Sequence, residues 1–181
     1  MIDLNNIPFN VIIFKELLSF KSRWKGETLL DVGCGLGDLF HYIKKHNINL
    51  KYKGADTSTE LINAAKRAYP GGYFFRYDLF VDQAIEQADV VVASGLFNLR
   101  MGKKSQQLDF LKEGITQLLK LSKEGVVFNL LEENNITKKI KSTEFFYYKK
   151  EEIKTMCTTF STHVKISQDY LINDMTIKLK I

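Results

Sequence analysis

The run Leu29-Leu30-Asp31-Val32-Gly33-Cys34-Gly35-Leu36-Gly37-Asp38 constrains the fold more than any other stretch. An apolar segment ending in three alternating glycines reads as a buried strand that turns sharply into a helix. Glycine admits backbone conformations closed to other residues and lets a ligand approach closely. Leu39, Phe40 and Ile43, with lysines behind them, then have the spacing of an amphipathic helix. Three ligand chemistries compete for such a loop. A phosphate-cradling P-loop closes on Gly-Lys-Ser/Thr, whereas Gly37 is followed by Asp38. A dinucleotide loop has its third glycine one place later and sets a pyrophosphate at the helix start, which the Asp38 charge would oppose. The third is a ligand with a cationic end, an amino group and a sulfonium, which Asp31 and Asp38 suit.

The remaining chain alternates strand and helix patterns. Val11–Trp24 reads as a first helix, Thr28–Val32 as the strand before the glycines and Leu50–Ala55 as a second strand. Thr57 with Glu60 has capping-box spacing ahead of a helix, and Pro70-Gly71-Gly72 stops it. Tyr73–Tyr77 predicts a third strand and Val81–Gln87 a short helix. Asp89–Ala93, with three consecutive valines, predicts a central parallel strand. Gln106–Leu121 predicts a long helix, Val126–Leu131 a fifth strand and Lys149–Phe160 a helix. Val164–Tyr170 and Met175–Ile181 close the chain as a hairpin. The expected architecture is α/β: a Rossmann-like, doubly wound, mostly parallel seven-stranded sheet with an antiparallel C-terminal hairpin. One domain spanning 1–181 is expected, since 181 residues suit a single core and only two prolines interrupt it.

Two lone cysteines, Cys34 and Cys157, and three scattered histidines form no metal-spaced cluster, so no metal site is expected. Two isolated thiols suit a reducing compartment. The N-terminus has no basic leader, and its apolar run is cut by Lys15 and Glu16. The expectation is a soluble, cytoplasmic protein with no membrane span. The net charge of +5 permits an anionic partner without requiring one.

The glycine loop, with acids at the ends of the next two strands, resembles the class I S-adenosylmethionine-dependent methyltransferases. The likeness continues through Gly54-Ala55-Asp56, nineteen residues after Gly37, through Tyr77-Asp78-Leu79 and Ala93-Ser94-Gly95-Leu96-Phe97, and through the closing hairpin. An acid where Asp56 stands can accept hydrogen bonds from both ribose hydroxyls; the resemblance implies that role here and implies that Asp78 takes the adenine amine. It extends cofactor contact to Gly33, Cys34, Gly35, Gly37, Thr57, Leu79 and Ser94, beside Asp31. The implied cofactor is S-adenosyl-L-methionine, leaving as S-adenosyl-L-homocysteine.

Methyl transfer from a sulfonium needs no obligatory nucleophile, so catalytic residues are hard to read. The Asn/Asp-Pro-Pro-Tyr/Phe motif of many nucleobase N-methyltransferases is absent. Asn98, after the fourth strand, and Tyr148 are the catalytic candidates, while Phe97, Arg100, Asn129 and Tyr147 are candidates for the acceptor site. The segments around Phe97-Asn98, Phe128-Asn129, Tyr147-Tyr148 and Asn173-Asp174 are also similar to a group of small bacterial methyltransferases, a likeness that supplies no substrate. Tyr147 and Tyr148 cannot both face inward if extended: one packs and the other reaches the site, and Tyr148 is favoured for the site. The leading expectation is transfer to O or N of a small molecule. The alternatives are an RNA or tRNA methyltransferase using the Lys-rich stretch 138–150, with Lys138, Lys139 and Lys141, or a cofactor-binding subunit without turnover. Nucleic acid is not favoured, because Glu144, Glu151 and Glu152 dilute that stretch.

Overall fold

The structure is a computed structural model, and it describes residues 9–83, 85–135, 137 and 142–181. Its elements are α1 (Phe9–Leu18), β1 (Thr28–Val32), α2 (Asp38–Lys45), β2 (Lys51–Asp56), α3 (Thr59–Ala68), β3 (Tyr73–Arg76), β4 (Ala88–Ala93), α4 (Lys104–Lys120), β5 (Ser122–Leu131), α5 (Lys150–Cys157), β6 (His163–Ser167) and β7 (Asp174–Lys180). They build one seven-stranded sheet in the order β3-β2-β1-β4-β5-β7-β6. The first five strands in that order are parallel, and β7 runs antiparallel to both β5 and β6. The doubly wound sheet with a reversed closing hairpin is therefore present as expected.

Period-two alternation puts a different core on each face. Leu29, Val90, Val92 and Val127 face α1, α2 and α3, where they meet Phe14, Leu17, Phe40, Ile43 and Ile62. Leu30, Val91, Val126 and Phe128 face α4 and α5, where they meet Leu111, Ile115, Leu118, Ile153 and Cys157. Because β1 and β4 are neighbours whose chains leave toward opposite ends of the sheet order, their carboxyl ends open a crevice, the usual ligand position in such sheets.

Several local expectations are corrected. Helix α1 stops at Leu18, and Trp24 is buried by folding back so that its indole N–H donates to the Leu18 carbonyl at 3.0 Å. Among residues 81–83 and 85–87 there is no helix. The Asp78 carbonyl accepts from Asp82 N at 3.0 Å, and Asp78 N donates to the Asp82 carboxylate at 2.8 Å, which closes a turn instead. The N-cap of α3 is Ser58, not Thr57: the Ser58 hydroxyl accepts from Leu61 N at 3.2 Å. Strand β5 begins at Ser122, four residues early, because the Ser122 hydroxyl bonds both Gly125 N and its carbonyl.

Gly114 fixes how α4 sits on the sheet. A Cβ there would lie 2.3 Å from the ring of Phe97, which is fully buried. In an open helix, Gly→Ala stabilises by up to about 1 kcal/mol. Here overpacking reverses the sign, and Gly114→Ala is expected to destabilise by about 1–3 kcal/mol. A fall in the urea midpoint at unchanged slope is the expected reading. A raised midpoint would show that Phe97 is not wedged against the helix.

Candidate functional site

The glycine loop is built by three left-handed glycines, Gly33 (φ 79°), Gly35 (φ 55°) and Gly37 (φ 85°). Gly33 N and Cys34 N both donate to the Ala55 carbonyl, at 2.8 and 3.0 Å, so the loop rests on the end of β2. The glycines serve different purposes. A Cβ on Gly37 would meet the Phe74 ring at 2.8 Å, so that position is closed by packing. A Cβ on Gly35 would meet nothing within 4 Å; the backbone there borders open space.

Asp31 is the unusual group. It is 2% exposed, at the end of β1, on the face it shares with Leu29. Tyr52 sits across from Leu29 on β2, and Gly54 sits across from Asp31. Because Gly54 has no side chain, the Tyr52 phenol lies over it and donates to Asp31 Oδ2 at 2.7 Å; a Cβ on Gly54 would come 2.9 Å from that hydroxyl. The other oxygen, Oδ1, is buried and has no hydrogen-bond partner among the described residues. Burial, with the Asp56 charge adding to it, pushes the Asp31 carboxyl up to about 7, against the lowering effect of the Tyr52 hydroxyl. The neighbouring Cys34 thiol is pushed up by burial and by Asp31 and Asp56.

Asp56, at the end of β2, holds two segments at once. Its Oδ2 accepts from Gly35 N and its Oδ1 from Ser58 N, each at 2.9 Å. It thereby ties the glycine loop to the start of α3, with Thr57 exposed between them. Asp78 follows β3, and its Oδ1 accepts from Phe80 N at 3.0 Å. Leu79 beside it is buried. Asp82, which the sequence reading did not single out, braces this turn through Asp78 N and an Arg76 ion pair at 2.7 Å. Asp31, Gly35, Asp56 and Asp78 thus lie along one edge, at the carboxyl ends of β1, β2 and β3.

After β4, Ser94 is half-buried and Gly95 borders open space. Gly95 N donates to Asn129 Oδ1 at 2.8 Å, and Asn129 Nδ2 donates to Asp174 Oδ2 at 2.7 Å. The Tyr170 hydroxyl donates to the other Asp174 oxygen and also contacts the Thr176 hydroxyl. Asn129 and Asp174 are 2% and 3% exposed. Asn129 therefore acts as an internal clamp rather than as an acceptor-binding group at the surface. Burial pushes the Asp174 carboxyl up to about 6, opposed by Tyr170 and Asn129. Asn129→Leu leaves a backbone N–H and a carboxylate oxygen without partners, an expected stability loss of about 2–4 kcal/mol. Chemical denaturation reads it, and a loss below about 0.5 kcal/mol, the size of an ordinary surface change, would show that the clamp does not hold.

The geometry alters the picture of the catalytic candidates. Tyr148 is 1% exposed; its hydroxyl donates to the Phe97 carbonyl at 2.6 Å and accepts from Gln107 Nε2 at 2.8 Å. Its hydroxyl is pushed up to about 12 by burial. It is core, as is Phe97, and neither presents an atom to the crevice. Asn98 is buried too, with Oδ1 accepting from Leu131 N at 3.0 Å. The alternation rule holds with the opposite partner outside: Tyr147 lines a groove of about 290 Å³ with Arg100, Lys104, Glu133, Lys149 and Glu152. Arg100 is fixed over the Phe146 ring at 5.3 Å, with hydrogen bonds to the Thr143 and Phe145 carbonyls.

Two larger cavities, of about 1070 and 540 Å³, lie at the other edge, where the strands begin. Lys15, Lys21, Arg23, Lys25, Lys123 and Lys180 line them, which places much of the positive excess away from the acidic edge. His41 on α2 and His46, just past its end, are exposed; His41 stacks on Tyr69 and His46 packs at a tilt against Tyr42. Lys138, Lys139 and Lys141 lie outside the described residues. Among the described residues no group of three or more His, Cys, Asp or Glu is placed to hold a metal ion. Among them, too, no helix is long and apolar enough to cross a membrane.

Residues 30–122, from the loop strand to the start of β5, match the model of a methyltransferase domain. The chain belongs to that family. Its fold is the class I fold of S-adenosylmethionine-dependent methyltransferases, and the matched stretch carries Asp31, the three glycines, Asp56 and Asp78. Rv1506c of Mycobacterium tuberculosis, provisionally named a methyltransferase, is 28% identical over 158 residues, covering 84% of this chain and 92% of that protein. A S-adenosylmethionine-dependent methyltransferase from Clostridium acetobutylicum superposes with a TM-score of 0.71 at 12% identity, over 98% of this chain and 93% of that one. The plantazolicin methyltransferase BpumL, solved with a triazolic desmethylPZN analog and SAH, gives 0.72 at 16% identity, over 97% and 86%. At these identities the structural likeness speaks to the fold.

Proposed function

We propose that this methyltransferase domain moves the methyl group of S-adenosyl-L-methionine to an oxygen or nitrogen of a small-molecule acceptor at the carboxyl edge of its sheet. The observation that carries the reading is Asp31 Oδ1. A buried carboxylate oxygen without a partner costs on the order of 1–3 kcal/mol; the ammonium of an amino-acid end would satisfy it, next to a glycine loop whose Gly35 borders open space. The residues present therefore fit the cofactor.

In this reading Asp31 pairs with that ammonium and Asp56 accepts the ribose hydroxyls with the lone pairs its two backbone bonds leave over. Asp78 takes the adenine amine, Leu79 and Thr57 border the nucleoside, and Ser94 and Cys34 border the amino-acid end. When bound, the cofactor would supply an activated methyl, with S-adenosyl-L-homocysteine as the leaving group and the proton of the acceptor O–H or N–H passing to solvent. The chain's own task is alignment and exclusion of water. Arg100 and Tyr147, held at the rim of the groove, are the residues offered to the acceptor.

A small acceptor is supported by the short segments that follow β1 and β4 at the carboxyl edge, residues 33–37 and 94–103. BpumL, of the same fold, was solved with a triazolic desmethylPZN analog and SAH. Incubation with methyl-labelled cofactor and a metabolite extract, then with total RNA, separates the readings. Label in a low-molecular-weight product is the expected result. Label only in RNA, or binding of the cofactor with no label transferred to either, would replace the proposal with the nucleic-acid or the subunit reading.

A further inference from the structure

We infer that Tyr52 is a positioning residue for the cofactor: its hydroxyl holds one oxygen of Asp31 so that the other is left, aimed and ionised, for the ammonium of the amino-acid end. The inference rests on the cofactor reading above and adds a residue to it that touches no ligand. Three features of the structure converge on it. Tyr52 Oη lies 2.7 Å from Asp31 Oδ2, while Oδ1 is the partnerless buried oxygen. The contact exists only because Gly54 leaves room for the phenol, since a Cβ there would lie 2.9 Å from the hydroxyl and 2.7 Å from the Phe74 ring. The ring itself is locked against Phe40 and Phe74, with centroids at 5.3 and 5.8 Å, so the hydroxyl has little freedom to leave.

The alternative is a tyrosine that only fills the core and happens to satisfy its hydroxyl. The two differ in what the hydroxyl does to Asp31. A donor to a carboxylate favours the charged form, while burial disfavours it. The groups facing the pair are Asp56 from the end of β2 and Cys34 from the loop, with Asp38 acting on Tyr52 from the start of α2. Burial and Asp56 raise the cost of charge on Asp31, whereas Cys34 and Asp38 act on the Tyr52 phenol. Tyr52 is the one side chain bonded to Asp31 among the described residues, and its hydroxyl opposes burial and Asp56. An ammonium is captured only by the ionised carboxylate. Affinity for the amino-acid end therefore falls as pH drops through the Asp31 midpoint, and losing the Tyr52 donor moves that midpoint upward.

The test uses Tyr52→Phe, which keeps the ring and its packing, and S-adenosyl-L-homocysteine as the probe, titrated by calorimetry between about pH 5 and pH 8. In the wild type the affinity should break near the Asp31 midpoint, falling about tenfold per pH unit below it. In Tyr52→Phe the break should move up by about one pH unit, with the deficit shrinking toward the alkaline end. Asp31→Asn should bind weakly with no break in this range. Methylthioadenosine, which lacks the amino-acid end, should bind all three proteins alike. Carboxyl carbon NMR of Asp31 in the ligand-free proteins should show the same upward shift. Binding of the homocysteine compound with identical breaks in wild type and Tyr52→Phe overturns the inference alone. No binding by the folded wild type overturns the cofactor reading along with it.

Discussion

Asp56→Ala is expected to weaken S-adenosyl-L-homocysteine binding by about 10- to 100-fold, the loss of hydrogen bonds to a charged acceptor worth about 1.5–3 kcal/mol. The effect has two sources. The carboxylate is the group offered to the ribose hydroxyls, and it also holds Gly35 N and Ser58 N at 2.9 Å each. Removing it frees the glycine loop from α3 as well as removing the acceptor. Asp56→Asn separates the contributions, because an amide oxygen can keep one backbone bond while the amide nitrogen accepts nothing. Its affinity should fall between those of the wild type and the alanine variant. Calorimetry at a pH well above the Asp31 midpoint isolates the effect from that titration. Equal affinity in all three proteins would remove Asp56 from the site.

Asp31→Asn should have the opposite character: weaker ligand binding and a more stable ligand-free protein. The sign follows from the direction of the shift. The folded-state midpoint of Asp31, about 7, lies above the ordinary carboxyl value of 3.8. Between those two pH values the folded protein holds a proton that the unfolded chain has released, so stability falls as pH rises through that window. Asp174, raised to about 6, adds to the same slope. At neutral pH the fold therefore carries a buried carboxylate with one oxygen unsatisfied, a cost maintained for binding. Asn at position 31 keeps a partner for the Tyr52 hydroxyl without the charge. It should raise ligand-free stability at about pH 7 by roughly 1–4 kcal/mol and flatten the slope above pH 4. Denaturant midpoints across that range check it. A variant less stable than the wild type at pH 7 would mean that the Asp31 carboxylate is satisfied in the folded protein.

These two positions also show what a sequence of this kind discloses. The placement of the glycines and of the acids at 31, 56 and 78 was legible because each lies at or just past the end of a short strand pattern. The doubly wound, mostly parallel sheet with its closing hairpin was legible because strand and helix patterns alternate along the chain. The Tyr52–Asp31 pair was not, since it depends on register, which sets Gly54 across from Asp31 and opens the path between them. The signal was present as Tyr52-x-Gly54 just before Asp56, but only the paired strands give it meaning. The inward turn of Tyr148 was hidden for a similar reason. Which of two adjacent tyrosines faces in was decided by Gln107, forty-one residues earlier on α4, and by the Phe97 carbonyl. Asn129 looked like an edge residue because it follows Phe128 near a strand end; its clamp on Gly95 requires Asp174 from the antiparallel neighbour. Val81–Gln87 read as a short helix, but Asp78 and Asp82 close a turn at its start.

The central claim, that the acidic carboxyl edge of this sheet is a cofactor site, is tested most directly by titrating the folded wild-type protein with S-adenosyl-L-homocysteine in a calorimeter and repeating the titration on Asp56→Ala. The expected result is saturable binding at one site per chain, weakened at least about tenfold in the variant. A folded wild-type protein that gives no binding, or one that binds no better than Asp56→Ala, would contradict it.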